Sequence, residues 1–270
     1  MMRIPTSALI GLILTSAFFL MALFAPWLAP YGVGEVVGDV WEPASWEFLF
    51  GTDGIGRDLL SRMIYGGRTT IFVASAATIL SFTLGTTLAL SAVVIGGWTD
   101  MLLSRFIDLI MSIPTLIFAL VVLSVVPVTL PVLILVMGLL DTTRVYRLAR
   151  AVAADVNVMD YVEAARLRGE GTRWIVFREI LPNVLSPLVA ELGMRFIFMV
   201  LFVSTLSFLG LGIQPPDADW GGIVKDNKEG LVYGVPAALL PAVAIASLAI
   251  SVNLVADWVL SRTTSLKGGR

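Results

Sequence analysis

Residues 163–182 read E-A-A-R-L-R-G-E-G-T-R-W-I-V-F-R-E-I-L-P, a charged, basic island in a chain that is otherwise mostly hydrocarbon. Apolar runs lie on both sides of it, each long enough to cross a bilayer at ~20 residues per span. A polar segment of this length between spans lies in water at one face of the membrane. Trp174, Phe177 and Leu181 recur at helical steps, which puts them on one side of a helix. Glu163-Ala164-Ala165 favours helix, and the paired alanines leave a small, flat surface that another backbone can approach. Gly169 and Gly171 permit a sharp turn, and Thr172 is a candidate cap for a second helix. Leu181-Pro182 is expected to end that helix, because proline disfavours helix at the residue before it. The expected product is two short helices at an angle, outside the bilayer. Periodicity alone leaves two readings open: a docking helix for a soluble partner, and a helix lying on the membrane surface.

Composition supports the membrane setting. The chain has 270 residues, 57% hydrophobic and 14% charged, with a mean hydropathy of +0.91. A soluble domain cannot hide that much apolar surface, so the fold class is all-α and polytopic. Cysteine and histidine are both absent, which excludes disulfides, thiol chemistry and histidine-based catalysis or metal ligation. The net charge of -2, without a basic block or an aromatic-basic platform, gives no sign of a nucleic-acid partner. No G-x-x-x-x-G-K-[ST] occurs, so the chain has no P-loop with which to bind ATP.

Six spans are expected at ~20 residues per crossing. The first, 8–25, reads as a retained span ending at Pro26-Trp27, with a cleaved signal peptide as the alternative. Residues 27–67 form an acidic outer loop with a short helix near 57–65. The second span covers 69–95. The third covers 101–126 and is loosened at Pro114. A short uncharged hairpin at 127–131 leads to a fourth span that reaches about Leu140, its helix running on through Arg144, Arg147 and Arg150. The fifth covers 186–211, the polar loop 212–233 follows, and the sixth covers 234–260. In domain terms, 1–67 is an N-terminal helix and loop, 68–262 the membrane core with the island's helices at about 155–185, and 263–270 a tail.

Charge sets the orientation. The island and its approach hold Arg144, Arg147, Arg150, Arg166, Arg168, Arg173 and Arg178, so the positive-inside rule makes that side cytoplasmic. An even number of spans then puts both termini inside, with Arg3, Arg262, Lys267 and Arg270.

Two outer stretches carry further patterns. Phe50 to Arg62 reads F-G-T-D-G-I-G-R-D-L-L-S-R, and Ser207 to Gly221 reads S-F-L-G-L-G-I-Q-P-P-D-A-D-W-G. On exposure grounds the first is expected to be a solvated loop, in which Asp53 or Asp58 pairs with Arg57 or Arg62 for little net energy. The E-A-A, Gly169 and Leu181-Pro182 spacing resembles the EAA signature of ABC importer membrane subunits. The outer stretches resemble the G-T-D-x-x-G-R-D and S-F-L-G-L-G-x-x-P-P blocks of dipeptide, oligopeptide and nickel permeases of the C type, and this resemblance implies, against the exposure argument, that the first block is a structured outer feature near the receptor dock. Glu179 stands where many members of that family carry an apolar residue. The resemblance implies a type I ABC importer permease (MetI-like) fold with no catalytic residue. It implies that Glu163, Ala164, Ala165, Gly169, Trp174, Phe177, Leu181 and Pro182 couple to cytoplasmic ATPase subunits, which bind ATP and Mg. It implies one or two such ATPases, a homologous B-type permease, an extracytoplasmic solute-binding protein near Asp53, Arg57, Asp58 and Trp220, and a bacterial or archaeal plasma (inner) membrane rich in lipid contacts. Peptides lead as substrate; nickel chelates, opines and oligosaccharides use similar permeases.

Glu191 and Arg195 share a helix face in the fifth span. Ionisable groups at that depth are functional candidates: either they line the translocation path, or they satisfy each other. Met194 and Met199 are candidates for an adaptable lining, against ordinary core packing. The family's acidic residue near the end of this span is missing from 201–205, so the polar lining is expected to have moved. A stand-alone secondary transporter would show repeated halves or midplane charges; the halves do not correspond, and the midplane reads as nearly free of charge. An intramembrane enzyme would need a clustered acid, base or nucleophile, for which the scattered carboxylates do not suffice.

Overall fold

The computed structural model describes residues 5–267, with side chains to 261. Arg3, Arg270 and the side chains of Arg262 and Lys267, all invoked for the orientation, lie outside the described residues. The described chain is all-helical, with only two isolated bridges, Val36–Arg57 and Thr52–Asp58.

Nine helices carry the architecture: α1 Thr6–Leu23, α2 Leu59–Ile95, α3 Gly97–Met111, α4 Thr115–Val125, α5 Leu130–Asn157, α6 Asp160–Leu167, α7 Thr172–Phe208, α8 Trp220–Asn227 and α9 Leu239–Lys267. Four are long and apolar enough to cross a membrane: α1, α2, α7 and the 26 residues Pro236–Ser261. The α3–α4 pair, bent by 81°, has the length and composition of a fifth crossing if the two helices count as one broken span. The expected loosening at Pro114 is therefore a full break, since proline caps α4 and its ring cannot continue α3. The six-span count is met only if α5 is included. That helix carries Asp141, Arg144, Arg147 and Arg150, so it is less apolar than the others while packing as a member of the bundle.

The centre of the bundle is the crossing of α2 and α5, where small residues let the backbones close in. A Cβ on Gly138 would sit 2.7 Å from Leu80, and one on Gly85 would sit 2.7 Å from Val145. Close backbone approach of this kind drives helix association in lipid, where the hydrophobic effect gives none. Helix α1 packs on α9, with Thr15 Oγ1 donating to Ser251 Oγ at 3.1 Å, and its Phe18 meets Trp220 edge-on at 5.7 Å. At the inner end Arg150 donates twice to Asp100, at 2.6 Å each, joining α5 to the start of α3.

At α2, 37 residues make a rod of about 55 Å, longer than a ~30 Å hydrocarbon core. Its outer end is fixed by Asp58, which caps the helix by accepting from Ser61 N at 2.7 Å.

Candidate functional site: the basic island, the buried charge cluster and the loop clasp

The island folds as α6, a turn, and the first residues of α7. Gly169 makes the turn with φ +80°, and a Cβ there would meet nothing within 4 Å, so backbone conformation alone demands glycine. Glu170 N donates to Ala165 O at 3.2 Å, closing the end of α6. The cap of α7 is Gly171 rather than Thr172, and no side chain bonds there.

Nor does the second helix stop at Leu181-Pro182. After Thr172–Trp174 the chain adopts a π-helical stretch, Ile175–Ile180, and runs straight into Leu181–Phe208. The wider π turn lies directly upstream of Pro182, where an α ladder would meet a missing N–H and a ring clash. The expected pair of short helices is thus one short helix and the inner end of a membrane rod.

Val162, Ile175, Val176 and Ile180 are buried in one cluster with Tyr146, Ala149 and Ala153 of α5, and Ala165 is fully buried as well. Glu163 and Ala164 face out. Trp174 and Phe177 are 44% and 49% exposed, Leu181 is half-buried, and Pro182 is exposed. Arg178 stacks 5.2 Å over Trp174, and Arg168 reaches Glu179 at 3.5 Å, so Glu179 serves as an ion-pair partner at the position where the family carries an apolar residue. Beside α6 lies a cleft of about 420 Å³ lined by Asn157, Val158, Glu163, Arg166 and Leu167.

The membrane interior is not free of charge. Arg195 binds Glu191 through Nε and Nη2, both at 2.7 Å, and its Nη1 lies 3.4 Å from Asp141 Oδ1 on α5. Asp141 is 1% exposed and also accepts from Ser81 Oγ of α2 at 3.2 Å. Arg144 and Arg195 flank the Phe198 ring at 4.3 and 5.9 Å. Asp141 lies about 16 Å along α5 from its start at Leu130, and Arg195 about 20 Å along α7 from its end at Phe208, so both sit well inside their helices. Sequence reading missed Asp141 because it closed the fourth span at Leu140. The signal was a carboxylate eleven positions into a helix that starts at Leu130. Met194 is exposed, but Met199 is fully buried in the core and lines no surface.

The outer block is likewise not solvated. Asp53 is 0% exposed. It accepts from Ile55 N and Arg57 N at 3.0 Å, from Arg57 Nε at 2.7 Å, and from Arg62 Nη1. Burial alone would raise the Asp53 carboxyl, but the amides of Arg57 and Ile55 and the Arg62 charge outweigh it and hold it below its ordinary range. Arg62 continues to Asp226 at 3.2 Å, and Asn227 Oδ1 accepts from Gly54 N at 3.1 Å. The loop is therefore clasped onto α8. Exposure grounds failed because the turn glycines fold the loop back over its own charges. Trp220, expected on the receptor side, is fully buried: Nε1 donates to Met63 O at 3.0 Å, and its amide donates to Thr70 Oγ1 at 3.1 Å. Of the outer candidates, Asp53 and Asp58 are buried and Arg57 nearly so.

Asp219, also unforeseen, caps α8 by accepting from Gly221 N at 3.1 Å and Gly222 N at 3.2 Å. Burial pushes its carboxyl up to about 7, against the downward pull of the Ser207 hydroxyl and those two amides.

Comparison with known proteins agrees with this architecture. Residues 81–265 match the family described as binding-protein-dependent transport system inner membrane component. Residues 6–36 match the N-terminal TM domain of oligopeptide transport permease C. The chain is similar to the di/tripeptide transport system permease protein DppC of Pseudomonas aeruginosa (strain UCBPP-PA14), 32% identical over 93% of this chain and 85% of that protein. It is 33% identical to the dipeptide transport system permease protein DppC of Haemophilus influenzae, over 93% and 87% of the two chains. With the protein of the same name from Alkalihalophilus pseudofirmus the identity is 30%, over 93% and 83%.

Proposed function

The chain belongs to the inner membrane components of binding-protein-dependent transport systems, and from that premise we propose that it is the C-type permease subunit of an ATP-driven importer of di- and oligopeptides. It supplies half of the translocation path, and a homologous B-type permease supplies the other half. ATP and Mg are bound by one or two separate cytoplasmic ATPase subunits, and an extracytoplasmic solute-binding protein delivers the peptide. The chain is not itself an enzyme. Both termini and the island lie in the cytoplasm of a bacterial or archaeal cell, which the arginine-rich inner loops support. The observation that carries the coupling assignment is the half-exposed Trp174–Phe177 face on a helix continuous with a membrane rod. The mobile ATPase pushes there, and the rod carries the displacement to Arg195. Such a device is a two-state equilibrium biased by nucleotide.

The test is co-purification of the complete transporter followed by ATPase assay with peptide-loaded binding protein. Peptide-stimulated hydrolysis with all subunits present is expected. A chain that transports alone, or one stimulated by nickel chelates, opines or oligosaccharides and not by peptides, overturns the respective part of the reading.

A further inference from the structure

At the end of the bundle that carries the 27–58 loop, a groove of about 830 Å³ opens between α1 and α2, roofed by the segment before α8. Its walls are apolar: Phe19, Leu20 and Leu23 from α1 and Phe72 from α2, all of them 41–65% exposed. Its rim is charged. Arg68 of α2 and Asp217 of the roof both line the groove, both are exposed, and neither has a hydrogen-bond or ion-pair partner among the described residues. Tyr65, Arg68, Phe72 and Ser75 line the groove from a single face of α2, at the three- and four-residue steps of a helix. The face thus descends from an aromatic ring of the kind that sits at headgroup level, through a cation, to hydrocarbon.

We propose that this groove is a binding site for a phospholipid with a zwitterionic, primary-ammonium headgroup, of the phosphatidylethanolamine type. Arg68 takes the phosphate, Asp217 takes the ammonium, and Phe19, Leu20, Leu23 and Phe72 take an acyl chain. The charge arrangement selects the ligand: phosphatidylglycerol would satisfy Arg68 through its phosphate but offer Asp217 only neutral hydroxyls, where a primary ammonium offers a charge-assisted bond. Basic pockets between transmembrane helices are established headgroup sites, and the added carboxylate narrows the choice. The inference depends on the proposed topology only for the leaflet, which is the outer one.

The test uses the complete, purified transporter, delipidated and then exchanged into vesicles of phosphatidylethanolamine and phosphatidylglycerol in equal amounts, with retained lipid read by native mass spectrometry. The wild type is expected to retain phosphatidylethanolamine in preference. Arg68→Ala should reduce retention of both lipids by about fivefold, the worth of one cation at a membrane surface. Asp217→Asn, which keeps size and fold, should remove the preference while leaving retention intact. Arg105→Ala, at the far end of the bundle, should change neither. Equal retention of the two lipids by the wild type, or an Asp217→Asn variant with unchanged preference, overturns the proposal. So does a disulfide or cross-link between Phe72→Cys and the partner permease in the membrane, because the groove is then a subunit interface. Displacement of retained lipid by a dipeptide overturns it in favour of a substrate vestibule. Peptide-stimulated ATPase activity, read in parallel, tests the permease assignment separately.

Discussion

Arg195 and Asp141 face each other across the α5–α7 contact at 3.4 Å, while the same guanidinium grips Glu191 at 2.7 Å. One cation thus serves two carboxylates on two helices, in a region where charge is costly. Substituting Arg195 by Ala leaves Asp141 buried with Ser81 as its remaining partner. Such a break costs about 3–5 kcal/mol, so the thermal midpoint of the detergent-solubilised transporter should fall markedly. Asp141→Asn, which keeps shape and removes the charge, should cost less. Peptide uptake should fail in Arg195→Ala even at temperatures where the complex stays assembled; normal uptake would remove the triad from the path.

Trp174, just before the π-helical stretch, and Phe177 within it are exposed, whereas Ile175, Val176 and Ile180 are buried in one cluster with α5. Replacing Trp174 by Ala should therefore spare the fold and weaken ATPase association by about tenfold, the cost of a single interface anchor at ~1.4 kcal/mol. Ile180→Ala should instead lower stability by about 2–5 kcal/mol through a core cavity. Pull-down of the ATPase together with thermal shift separates the two effects.

Gly169→Ala forces a side chain to φ +80° in otherwise open space. A cost of about 1–2 kcal/mol is expected, and Gly169→Asn should cost less because asparagine tolerates that region. Melting curves of the three proteins check the order.

Asp219 gives a pH signature. Its folded value of about 7 lies above the ordinary 3.8, so between those values the folded state holds a proton that the unfolded chain has lost. The stability that this proton confers is complete below about pH 4 and is lost as pH rises through about 7. Asp219→Asn keeps the cap, since asparagine serves there as well as aspartate, and should flatten this dependence and raise the thermal midpoint at pH 8. The Asp53 pair acts in the opposite sense. Its lowered carboxyl contributes stability above the ordinary carboxylate range and loses it as pH falls below.

Much of the fold was legible from local signals. The apolar runs around Thr6–Leu23, Leu59–Ile95 and Pro236–Ser261 announce themselves by length and hydropathy, and the E-A-A turn by its glycine. The misreadings share one cause: tertiary partners decide what a polar residue does. Asp53 reads as solvated on exposure grounds until Arg62 is brought to it from α2, itself anchored by Asp226 of α8. Asp141 reads as the end of a span until Arg195 meets it from α7. Leu181-Pro182 reads as a stop because the local rule for proline says nothing of a π turn upstream.

That π turn has a mechanical consequence. Each turn of π-helix stores roughly one residue more than a turn of α-helix. Drawing the surplus residue out of Ile175–Ile180 would rotate the face bearing Trp174 by about 100° and shift it by about 1.5 Å relative to Arg195. A pull on that face would then be taken up at the junction in whole-residue steps, while the rod above kept its register.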